Sequence, residues 1–415
     1  MPTTAEIISI GDELLYGQTL DTNSHWISSQ LDLIGIKVRR RTTIGDVEEE
    51  ILSTLREAEQ RADIILITGG LGPTNDDLTK PLLAKYFNVG LKRNEEALAE
   101  ITALFESKGR ELSGANKQQA DLPENCTKLT NKMGTAPGMW FDERQTIFVS
   151  MPGVPYEMKE IMTSQVLPRL KERFFGGIIL HHIIRTVGIP ESTLAEKLVD
   201  WEKNLPPQLK LAYLPSMGQV KLRLTAIGDD QSALQQSIDE QVAQALPLIE
   251  KYVYGFGNDE LEKVVGDTLL KAGKSIAFAE SCTGGYLSHM ITSIPGSSAY
   301  FKGSIISYDY DVKVNSLDVN KAEMEEKGAV SEEVVLQMAR AVREKLHADI
   351  GLSISGVAGP GGGTEEKPVG TVWIAYSDKE KTVAKKFNFS KDRILNIKFS
   401  ALAALNMFRI HFSSN

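Results

Sequence analysis

The segment Ala279-Glu280-Ser281-Cys282-Thr283-Gly284-Gly285 marks the junction of a strand and a helix in the C-terminal part of the chain. A short apolar run (residues 275–278) precedes it, and an amphipathic run (286–294) follows it. The first N–H groups of a helix have no partner within it, so Ser281 lies where a partial positive charge can stabilise an anion. A capped turn without a catalytic role would show the same pattern. The segment therefore predicts a strand followed by a helix. Whether it also forms a catalytic site depends on the other residues that the fold brings close to Ser281.

The composition is that of an ordinary globular protein. The chain has 415 residues, of which 42% are hydrophobic and 24% charged, and this length suggests two or three domains. A net charge of −9 gives no general attraction for nucleic acid or for an anionic membrane. The basic run Lys37-Val38-Arg39-Arg40-Arg41 is interpreted as part of one strand. We therefore expect no direct nucleic-acid partner and no membrane partner.

The two cysteines and residues 1–10 indicate the cellular compartment of the protein. Cys126 and Cys282 lie far apart and lack the spacing of metal ligands, which favours a reducing compartment. Residues 1–10 lack the basic start and long apolar core of a signal peptide, and no apolar run approaches the length of a membrane span. We therefore expect a cytoplasmic protein.

Strand and helix patterns alternate over residues 5–90. The predicted strands are residues 5–10, 36–42 and 63–68, and the predicted helices are residues 24–33, 47–61 and 77–87. Such alternation indicates a parallel sheet with helices on both faces, and ligands of these sheets bind beyond the carboxyl ends of the strands. A helix (95–107), a hairpin (138–142 and 146–150) and a long helix (156–173) are predicted to follow.

Two glycine-rich loops follow strand ends in this region. They are Gly11-Asp12-Glu13-Leu14-Leu15-Tyr16-Gly17 with Asp21-Thr22-Asn23, and Thr68-Gly69-Gly70-Leu71-Gly72-Pro73-Thr74-Asn75-Asp76-Asp77. Glycine lets a backbone approach a phosphate closely, and carboxylates are oxygen ligands for divalent cations. The loops suit a phosphate-bearing ligand held through a metal, although each acidic residue could equally serve as a turn or helix cap.

The alternating pattern returns beyond residue 259. Its predicted strand ends carry polar residues that could meet: Ser281, Tyr308 with Lys313 five residues later, and Ser355-Gly356. A nucleophilic serine needs a base, usually histidine, but His289 is predicted on a helix that runs away from Ser281. A lysine can serve if burial lowers its pKa, and Lys313 follows a strand end. An exposed loop lysine is the other interpretation, and Cys282 is a rival nucleophile on chemical grounds.

Several long motifs of this region together resemble the C-terminal domain of CinA proteins, the nicotinamide-mononucleotide deamidase family. They are Ala279 to Gly285, Gly296-Ser297-Ser298, Tyr308 with Lys313, Gly328-Ala329-Val330-Ser331, Gly356-Val357-Ala358-Gly359-Pro360 and Lys367-Pro368-Val369-Gly370-Thr371-Val372. The resemblance covers about residues 255–412. It implies a Ser/Lys amidohydrolase without a cofactor, which converts nicotinamide mononucleotide and water to nicotinic acid mononucleotide and ammonia.

The resemblance also implies roles for residues of this sequence. Ser281 would be the nucleophile, Lys313 its general base and Tyr308 the residue that orients the pair, while backbone N–H groups of residues 282–284 would hold the oxyanion. Arg393 would bind the substrate phosphate, although Lys391 stands where the family commonly has the glycine of Gly-Asp-Arg. The expected substrate contacts are Glu280, Cys282, Thr283, Gly284, Gly285, Ser298, Ser355, Gly356, Gly359 and Arg393.

The two N-terminal loops and a third motif, Met151-Pro152-Gly153-Val154-Pro155-Tyr156-Glu157-Met158, resemble the molybdopterin-binding-like domain of CinA proteins over about residues 1–168. This resemblance implies a pyrophosphatase that cleaves ADP-ribose to AMP and ribose 5-phosphate with Mg²⁺, Mn²⁺ or Co²⁺, together with K⁺. Expected metal ligands are Asp12, Glu13, Asp76 and Asp77. Expected substrate contacts are Gly11, Asn23, Gly69, Gly70, Gly72, Thr74 and Gly153. Relatives with this fold bind molybdopterin, so the fold alone does not identify the reaction.

The segment 178–252 predicts a small α+β module, where CinA relatives carry a KH-like domain. It has Pro215-Ser216-Met217-Gly218-Gln219 but no Gly-x-x-Gly loop, which KH domains use to bind RNA. We interpret it as a spacer or dimerisation module of a homodimer. The predicted architecture is a three-layer α/β domain (1–170), this module (171–254) and an α/β deamidase domain (255–415). Two alternatives remain: a deamidase with a non-catalytic nucleotide- or pterin-binding N-terminal domain, and a non-enzymatic partner in DNA uptake or damage response.

Overall fold

The strands of the N-terminal region form one large sheet and one small one. The computed structural model describes residues 3–74, 77–174 and 177–412. The strands are β1 (Thr4–Ile10), β2 (Lys37–Ile44), β3 (Ile64–Thr68), β4 (Leu91–Arg93), β5 (Asp121–Pro123), β6 (Thr127–Leu129), β7 (Gly138–Glu143) and β8 (Thr146–Met151). The large sheet has the order β2-β1-β3-β8-β7-β6, and its first four strands are parallel. Strand β7 pairs antiparallel with β8, the edge strand β6 pairs antiparallel with β7, and β4 pairs antiparallel with β5.

Helices cover both faces of the large sheet, which explains why β1 and β3 are almost wholly buried. The helices are α1 (Asp12–Leu15), α2 (Thr22–Leu33), α3 (Glu48–Glu59), α4 (Thr79–Phe87), α5 (Glu95–Ser107), α6 (Gly114–Gln118), α7 (Pro155–Ile161) and α8 (Leu167–Arg173). One apolar core contains Ile27, Leu31 and Met158, and the other contains Ile51, Leu55 and Leu83. A π-helical turn, Met162–Val166, divides the predicted helix 156–173 into α7 and α8.

The central module has four strands and two helices. They are β9 (Ile178–Val187), α9 (Glu191–Lys203), β10 (Leu209–Ser216), β11 (Gln219–Gly228), α10 (Gln231–Ile249) and β12 (Val253–Phe256), in the sheet order β10-β11-β9-β12. The β10–β11 and β9–β12 pairs are antiparallel. The chain divides into two compact units, of which one comprises Met1–Leu180 with Ile227–Leu234 and the other His181–Ala226 with Gln235–Asn415.

The C-terminal region contains a five-stranded sheet in the order β14-β13-β15-β16-β17. Its strands are β13 (Ile276–Glu280), β14 (Phe301–Ile306), β15 (Ile350–Gly356), β16 (Thr371–Ser377) and β17 (Thr382–Asn388). Its helices are α11 (Leu261–Ala272), α12 (Tyr286–Thr292), α13 (Tyr310–Leu317), α14 (Lys321–Lys327), α15 (Glu332–Lys345) and α16 (Arg393–Phe412). The strands β14, β13 and β15 are parallel, and their carboxyl ends therefore lie at one edge of the sheet.

Helix α16 is the largest element that the sequence interpretation did not predict. Its buried residues include Ala401, Leu405 and Phe408, which belong to the core on one face of the C-terminal sheet. Asp392 starts the helix, since its carboxylate accepts the N–H of Leu395. Across the described ranges, no helix combines the length and the apolar character that crossing a membrane requires.

Candidate functional site

Three serines lie side by side at the carboxyl edge of the C-terminal sheet. Glu280 pairs with Ile306 on one side and Ile354 on the other, so the next residues of the three strands are Ser281, Ser307 and Ser355. The N–H of Ser281 donates to the carbonyl of Ile354 (3.0 Å), and that of Ser307 donates to the carbonyl of Glu280 (2.8 Å). The parallel register therefore brings together residues that are far apart in the sequence.

Lys313 reaches this edge from α13. Its Nζ lies 3.0 Å from Ser281 Oγ, 2.5 Å from the carbonyl oxygen of Ser307 and 3.4 Å from that of Tyr308. Asp309 starts α13 because its carboxylate accepts the N–H of Asp311, and Lys313 lies one turn further along. The structure thus brings Ser281 and Lys313 together as a hydrogen-bonded pair.

The environment of Lys313 disfavours its charged form. The residue is only 1% exposed, and burial lowers the pKa of its amine. No ion pair found in the described ranges includes Lys313. In the neutral form, two N–H groups can donate to the carbonyls of Ser307 and Tyr308, which leaves the nitrogen lone pair for the hydroxyl hydrogen of Ser281.

The turn after Ser281 offers two backbone N–H groups to a ligand. The N–H of Gly284 donates to the carbonyl of Ser281 (3.0 Å), and the N–H of Gly285 donates to the Glu280 carboxylate (3.0 Å). For the N–H groups of Cys282 and Thr283, the described part of the chain supplies no acceptor. Of the expected oxyanion donors in residues 282–284, the N–H groups of Cys282 and Thr283 are available to a ligand. The N–H of Gly284 is not, because it already donates to the carbonyl of Ser281.

Glu280 is a helix cap, which corrects its prediction as a substrate contact. Its carboxylate is fully buried and accepts the N–H groups of Gly285, Leu287 and Ser288 as well as the hydroxyl of Ser288. These groups lie around the start of α12, where a negative charge is favourable. With all these donors around it, Glu280 shapes the turn that carries Ser281.

Cys282 is a core residue. Its side chain is 6% exposed and packs with Leu287 and Ile354. Burial raises the pKa of the thiol to about 12, so the nucleophilic thiolate is scarce at neutral pH. The structure therefore gives no support to Cys282 as the rival nucleophile or as a polar substrate contact.

Tyr308 and Arg393 form a second pair next to the first. Arg393 begins α16 and donates to the Tyr308 hydroxyl (2.8 Å) and to the carbonyl of Gly359 (2.6 Å). The Tyr308 side chain is 55% exposed, and its phenol makes no hydrogen bond to Ser281 or Lys313. This corrects the expectation that the phenol orients the pair, since the carbonyls of Ser307 and Tyr308 hold Lys313 instead.

Of the other predicted substrate contacts, Ser355 and Gly356 lie at the end of β15 and Ser298 lies at the opposite edge of the sheet. Ser355 is buried, and its hydroxyl donates to the carbonyl of Ala329 (2.7 Å), which ties β15 to the segment before α15. Gly356 ends β15, and an added Cβ there would overlap Val372 and the carbonyl of Thr371. Ser298 is exposed in a 3₁₀ turn before β14, at the amino end of the strand. Because β14 is parallel to β13, Ser298 lies at the opposite edge of the sheet from Ser281, and the structure does not bring the two residues together.

Two buried hydroxyls beside the pair lack partners. Thr283 Oγ1, which was predicted to contact substrate, and Ser307 Oγ, which was not singled out, meet no hydrogen-bonding group within the described residues. Unpaired buried hydroxyls are uncommon in folded proteins, and a ligand can supply the missing partner. The only sequence signal for Ser307 was its place just before Tyr308, at the end of a predicted strand.

A second candidate site is a cavity of about 500 Å³ in the N-terminal unit. It lies at the carboxyl ends of β1, β3 and β8, where ligands of parallel sheets bind. Five of the predicted substrate contacts and two of the predicted metal ligands line it. The substrate contacts are Gly11, Gly69, Gly70, Gly72 and Gly153, and the metal ligands are Glu13 and Asp77. Gly69 has a φ of +111°, and an added Cβ would lie 2.0 Å from the carbonyl oxygen of Ile10, so only glycine allows this close crossing.

Asn23 and Thr74 have structural contacts. The Asn23 amide nitrogen donates to the Thr68 hydroxyl (3.0 Å) and to the carbonyl of Gly153 (2.7 Å), and so it ties the first loop to the third motif. The N–H and the hydroxyl of Thr74 both donate to the carboxylate of Asp77, which closes a turn in the second loop. Both residues thus help to shape the loops. Neither is part of the cavity lining, and Asn23 Oδ1 is buried without a partner in the described residues, so their roles as substrate contacts remain predictions.

The expected metal ligands do not form a preformed cage. Asp12 and Asp46 are joined by reciprocal backbone-to-carboxylate hydrogen bonds, and Asp77 is engaged by Thr74. Asp76 lies outside the described residues. Over the ranges that the structure describes, no group of three His, Cys, Asp or Glu side chains is arranged to hold a metal ion. Any cation would therefore need further ligands, such as phosphate oxygens.

The sequence interpretation missed four polar residues of the cavity lining, namely Asp46, Gln119, Thr135 and Glu157. Glu157 belongs to the third motif, and its carboxylate accepts a hydrogen bond from the amide nitrogen of Asn131 (2.7 Å). Asp46 follows β2, outside the two glycine-rich loops and the third motif. Gln119 follows α6, in a stretch that sequence reasoning left irregular, so no pattern pointed to it.

Comparison with known proteins gives three matching family models. They are the CinA C-terminal domain over residues 258–412, the probable molybdopterin binding domain over residues 6–172, and the damage-inducible protein CinA KH domain over residues 181–255. A CinA-like protein of Cytophaga hutchinsonii is 54% identical over 98% of this chain and 97% of its own length. A CinA-like protein of Flavobacterium psychrophilum is 44% identical over 94% of both chains. A crystal structure of the protein CinA with unknown function from Thermoplasma acidophilum is 33% identical and covers 40% of this chain and 96% of its own, with a TM-score of 0.37.

The fold and the sites define a multi-domain α/β protein with a molybdopterin-binding-like N-terminal domain, a KH module and a C-terminal domain with a Ser–Lys pair. The chain belongs to the CinA family. The predicted fold class and the predicted family are thereby confirmed.

Proposed function

We propose that the C-terminal domain is an amidase that converts nicotinamide mononucleotide and water to nicotinic acid mononucleotide and ammonia. The observation that carries this proposal is the 3.0 Å contact between Ser281 Oγ and the buried Nζ of Lys313. A buried lysine with a lowered pKa can act as a general base near neutral pH, and an adjacent serine is then an activated nucleophile.

The reaction would have two stages. Neutral Lys313 accepts the hydroxyl proton of Ser281 while Oγ attacks the carboxamide carbon, and the N–H groups of Cys282 and Thr283 stabilise the oxyanion. The lysine then returns the proton to the leaving nitrogen, the C–N bond of the tetrahedral intermediate breaks, and ammonia departs, which leaves the acyl-serine ester. A water molecule, deprotonated by Lys313, next attacks the ester carbon. The ester bond breaks, Ser281 regains its proton, and the acid is released.

Arg393 is the proposed ligand for the substrate phosphate. Its guanidinium uses one N–H for Gly359 and one for Tyr308, and its remaining N–H groups can meet phosphate oxygens. Lys391 is exposed and lines a neighbouring cavity of about 390 Å³ together with the loop Pro360-Gly361-Gly362-Gly363. Tyr308 links Arg393 to the catalytic pair, since its hydroxyl contacts Arg393 and its carbonyl oxygen lies 3.4 Å from Lys313 Nζ, which suits an amide that carries a phosphate.

Replacing Tyr308 by Phe tests the geometry of this binding site. We expect KM for nicotinamide mononucleotide to rise several-fold with little change in kcat, because the substitution removes the hydroxyl that holds Arg393 and leaves the carbonyl of residue 308 in place. Steady-state kinetics of wild-type and variant protein measure both constants. A fall in kcat at unchanged KM would instead return the phenol to the role of orienting the catalytic pair.

The experiment that tests the amidase is a coupled assay of both products. Purified full-length protein with nicotinamide mononucleotide should release ammonia and nicotinic acid mononucleotide in equal amounts, and EDTA should not inhibit the reaction. Nicotinamide itself, which lacks the ribose phosphate, is the control substrate and should react far more slowly. Folded protein that releases no ammonia from the mononucleotide would contradict the proposal.

For the N-terminal domain we propose hydrolysis of ADP-ribose to AMP and ribose 5-phosphate. The supporting observation is a cavity at the strand ends whose described lining contains the carboxylates of Glu13, Asp46, Asp77 and Glu157 but no Lys, Arg or His. A diphosphate entering such an acidic site must bring its own cation. A divalent cation so bound would neutralise the diphosphate charge and lower the pKa of an attacking water.

Turnover of ADP-ribose with Mg²⁺, Mn²⁺ or Co²⁺, each with and without K⁺, tests this second activity. The expected products are AMP and ribose 5-phosphate in equal amounts, with no turnover in EDTA. Absence of turnover with every metal would contradict the pyrophosphatase. Binding of AMP without cleavage of ADP-ribose would then support a nucleotide-binding domain attached to a deamidase.

A further inference from the structure

We propose that Gln119 recognises the adenine ring of the nucleotide that binds in the N-terminal cavity. This inference rests on the proposed function, since ADP-ribose is an adenine nucleotide. Nothing in the family motifs points to Gln119, which lies at the end of α6 and outside both glycine-rich loops.

The side chain of Gln119 is buried beside the cavity and is incompletely paired. The residue is 3% exposed and belongs to the cavity lining. Its Oε1 is inaccessible to solvent and meets no donor in the described ranges. Its Nε2 donates to the carbonyl of Leu71 at 3.4 Å, a long hydrogen bond that leaves the second N–H available. A buried amide oxygen without a partner is rare, and a donor from a ligand would complete it.

The backbone around Gln119 is fixed, so the side chain stays at the cavity. The Nζ of Lys80 contacts the carbonyl oxygens of Gln118 (2.7 Å) and Gln119 (3.5 Å), and the N–H of Gln119 donates to the carbonyl of Asn116 (3.2 Å). The N–H of Asn94 donates to the carbonyl of Ala120 (2.8 Å), which ties the following residue to the start of α5. These contacts occupy the backbone groups and leave the amide as the part that can meet a ligand.

The chemistry of a primary amide favours adenine over the phosphates of the nucleotide. The amide presents an acceptor and a donor side by side, and adenine presents the amino group N6 next to the acceptor N7, so glutamine can pair with it through two hydrogen bonds. A phosphate has no hydrogen-bond donor for Oε1. Hypoxanthine has an oxygen in place of the amino group, and Oε1 would then face another acceptor.

Binding of AMP and IMP to the full-length protein tests the inference without requiring turnover. By titration calorimetry, wild-type protein should bind AMP about tenfold more tightly than IMP, or with a larger ratio, which is the discrimination that a two-bond contact gives. In Gln119→Leu the affinity for AMP should fall to that for IMP. In Gln118→Leu, a matched control at the exposed neighbouring position, the preference for AMP should be unchanged.

Three results would overturn the inference: no AMP binding, equal binding of the two nucleotides by wild-type protein, or an equal loss for both nucleotides in Gln119→Leu, which would indicate a ribose contact. If Gln119→Leu does not fold, Gln119→Met replaces it, because methionine has the same length and no hydrogen-bonding amide.

The proposal of adenine recognition and the proposal of ADP-ribose hydrolysis can fail independently of each other. Cleavage of ADP-ribose and inosine diphosphate ribose at equal rates would refute adenine recognition alone, whereas a preference for AMP without cleavage would refute the hydrolase alone.

Discussion

Ser281→Ala is expected to lower kcat/KM for ammonia release from nicotinamide mononucleotide by a factor on the order of 10⁴ or more, the size of effect seen when a catalytic nucleophile is removed. The alanine variant has no atom that can form the acyl ester, while the turn, the helix cap by Glu280 and the phosphate site remain. The substrate should therefore still bind. Steady-state kinetics give the first effect, and calorimetry with the inactive variant gives the second.

The matched control for this experiment is Cys282→Ala, one residue further along the same turn. The thiol is buried and mostly protonated at neutral pH, because burial raises its pKa to about 12. We expect the Cys282 variant to keep deamidase activity within a few-fold of wild type, with some loss of thermal stability from the cavity left in the core. The reverse pattern, an active Ser281 variant and an inactive Cys282 variant, would make the cysteine the nucleophile.

Lys313→Met is expected to abolish deamidation, with kcat lower by about 10³-fold or more, because serine then has no base. The same change should not destabilise the protein at neutral pH. Methionine fills a similar volume, and it removes a buried amine that has no carboxylate partner in the described structure. Activity assays and chemical denaturation of the same preparations measure the two effects. A variant that loses both activity and folding would show a structural role for the amine.

The pH dependence of stability gives Lys313→Met a second readout. Burial lowers the pKa of Lys313 in the folded state, so between that pKa and the ordinary value of about 10.4 the unfolded chain binds more protons. The contribution of Lys313 to the free energy of unfolding therefore rises with pH across this window. We expect the stability advantage of the methionine variant to shrink from pH 7 to pH 10. An advantage that stays constant would contradict a lowered pKa.

The arrangement of strands around the C-terminal site could be predicted from the sequence. Apolar runs that end in polar residues predict that Ser281 and Lys313 can meet, and the parallel register of β13, β14 and β15 is the physical reason. The direction of individual side chains could not be predicted. The Tyr308 phenol points to Arg393 because of the turn between β14 and α13, and no periodicity encodes that turn.

Two residues show what pattern reasoning leaves out. Glu280 looked like a polar residue of the site, but its carboxylate is consumed by the N–H groups around the start of α12. Ser298 belongs to a family motif, yet it precedes β14, and in a parallel sheet the residues before a strand lie at the edge away from the site. The role of Glu280 follows from the N–H groups that surround its carboxylate, and that of Ser298 follows from its position before β14.

In the N-terminal domain the glycine loops were predictable, and the distant contributors were not. Gly69 crosses Ile10 so closely that the backbone itself requires glycine. By contrast, Gln119 reaches the cavity from the end of α6, and its carbonyl oxygen is contacted by Lys80, 39 residues earlier in the chain. Long-range contacts of this kind leave no local signal in the sequence.

The central claim is that the amine of Lys313 is neutral enough to deprotonate Ser281, and its pKa can be measured directly. In protein labelled with ¹³C at lysine Cε, the resonance of Lys313 can be assigned by its absence from Lys313→Met and followed from neutral to alkaline pH. We expect a titration midpoint below the ordinary lysine value of about 10.4. A midpoint at or above that value would mean that the buried amine stays charged, and it would contradict the proposed Ser–Lys mechanism.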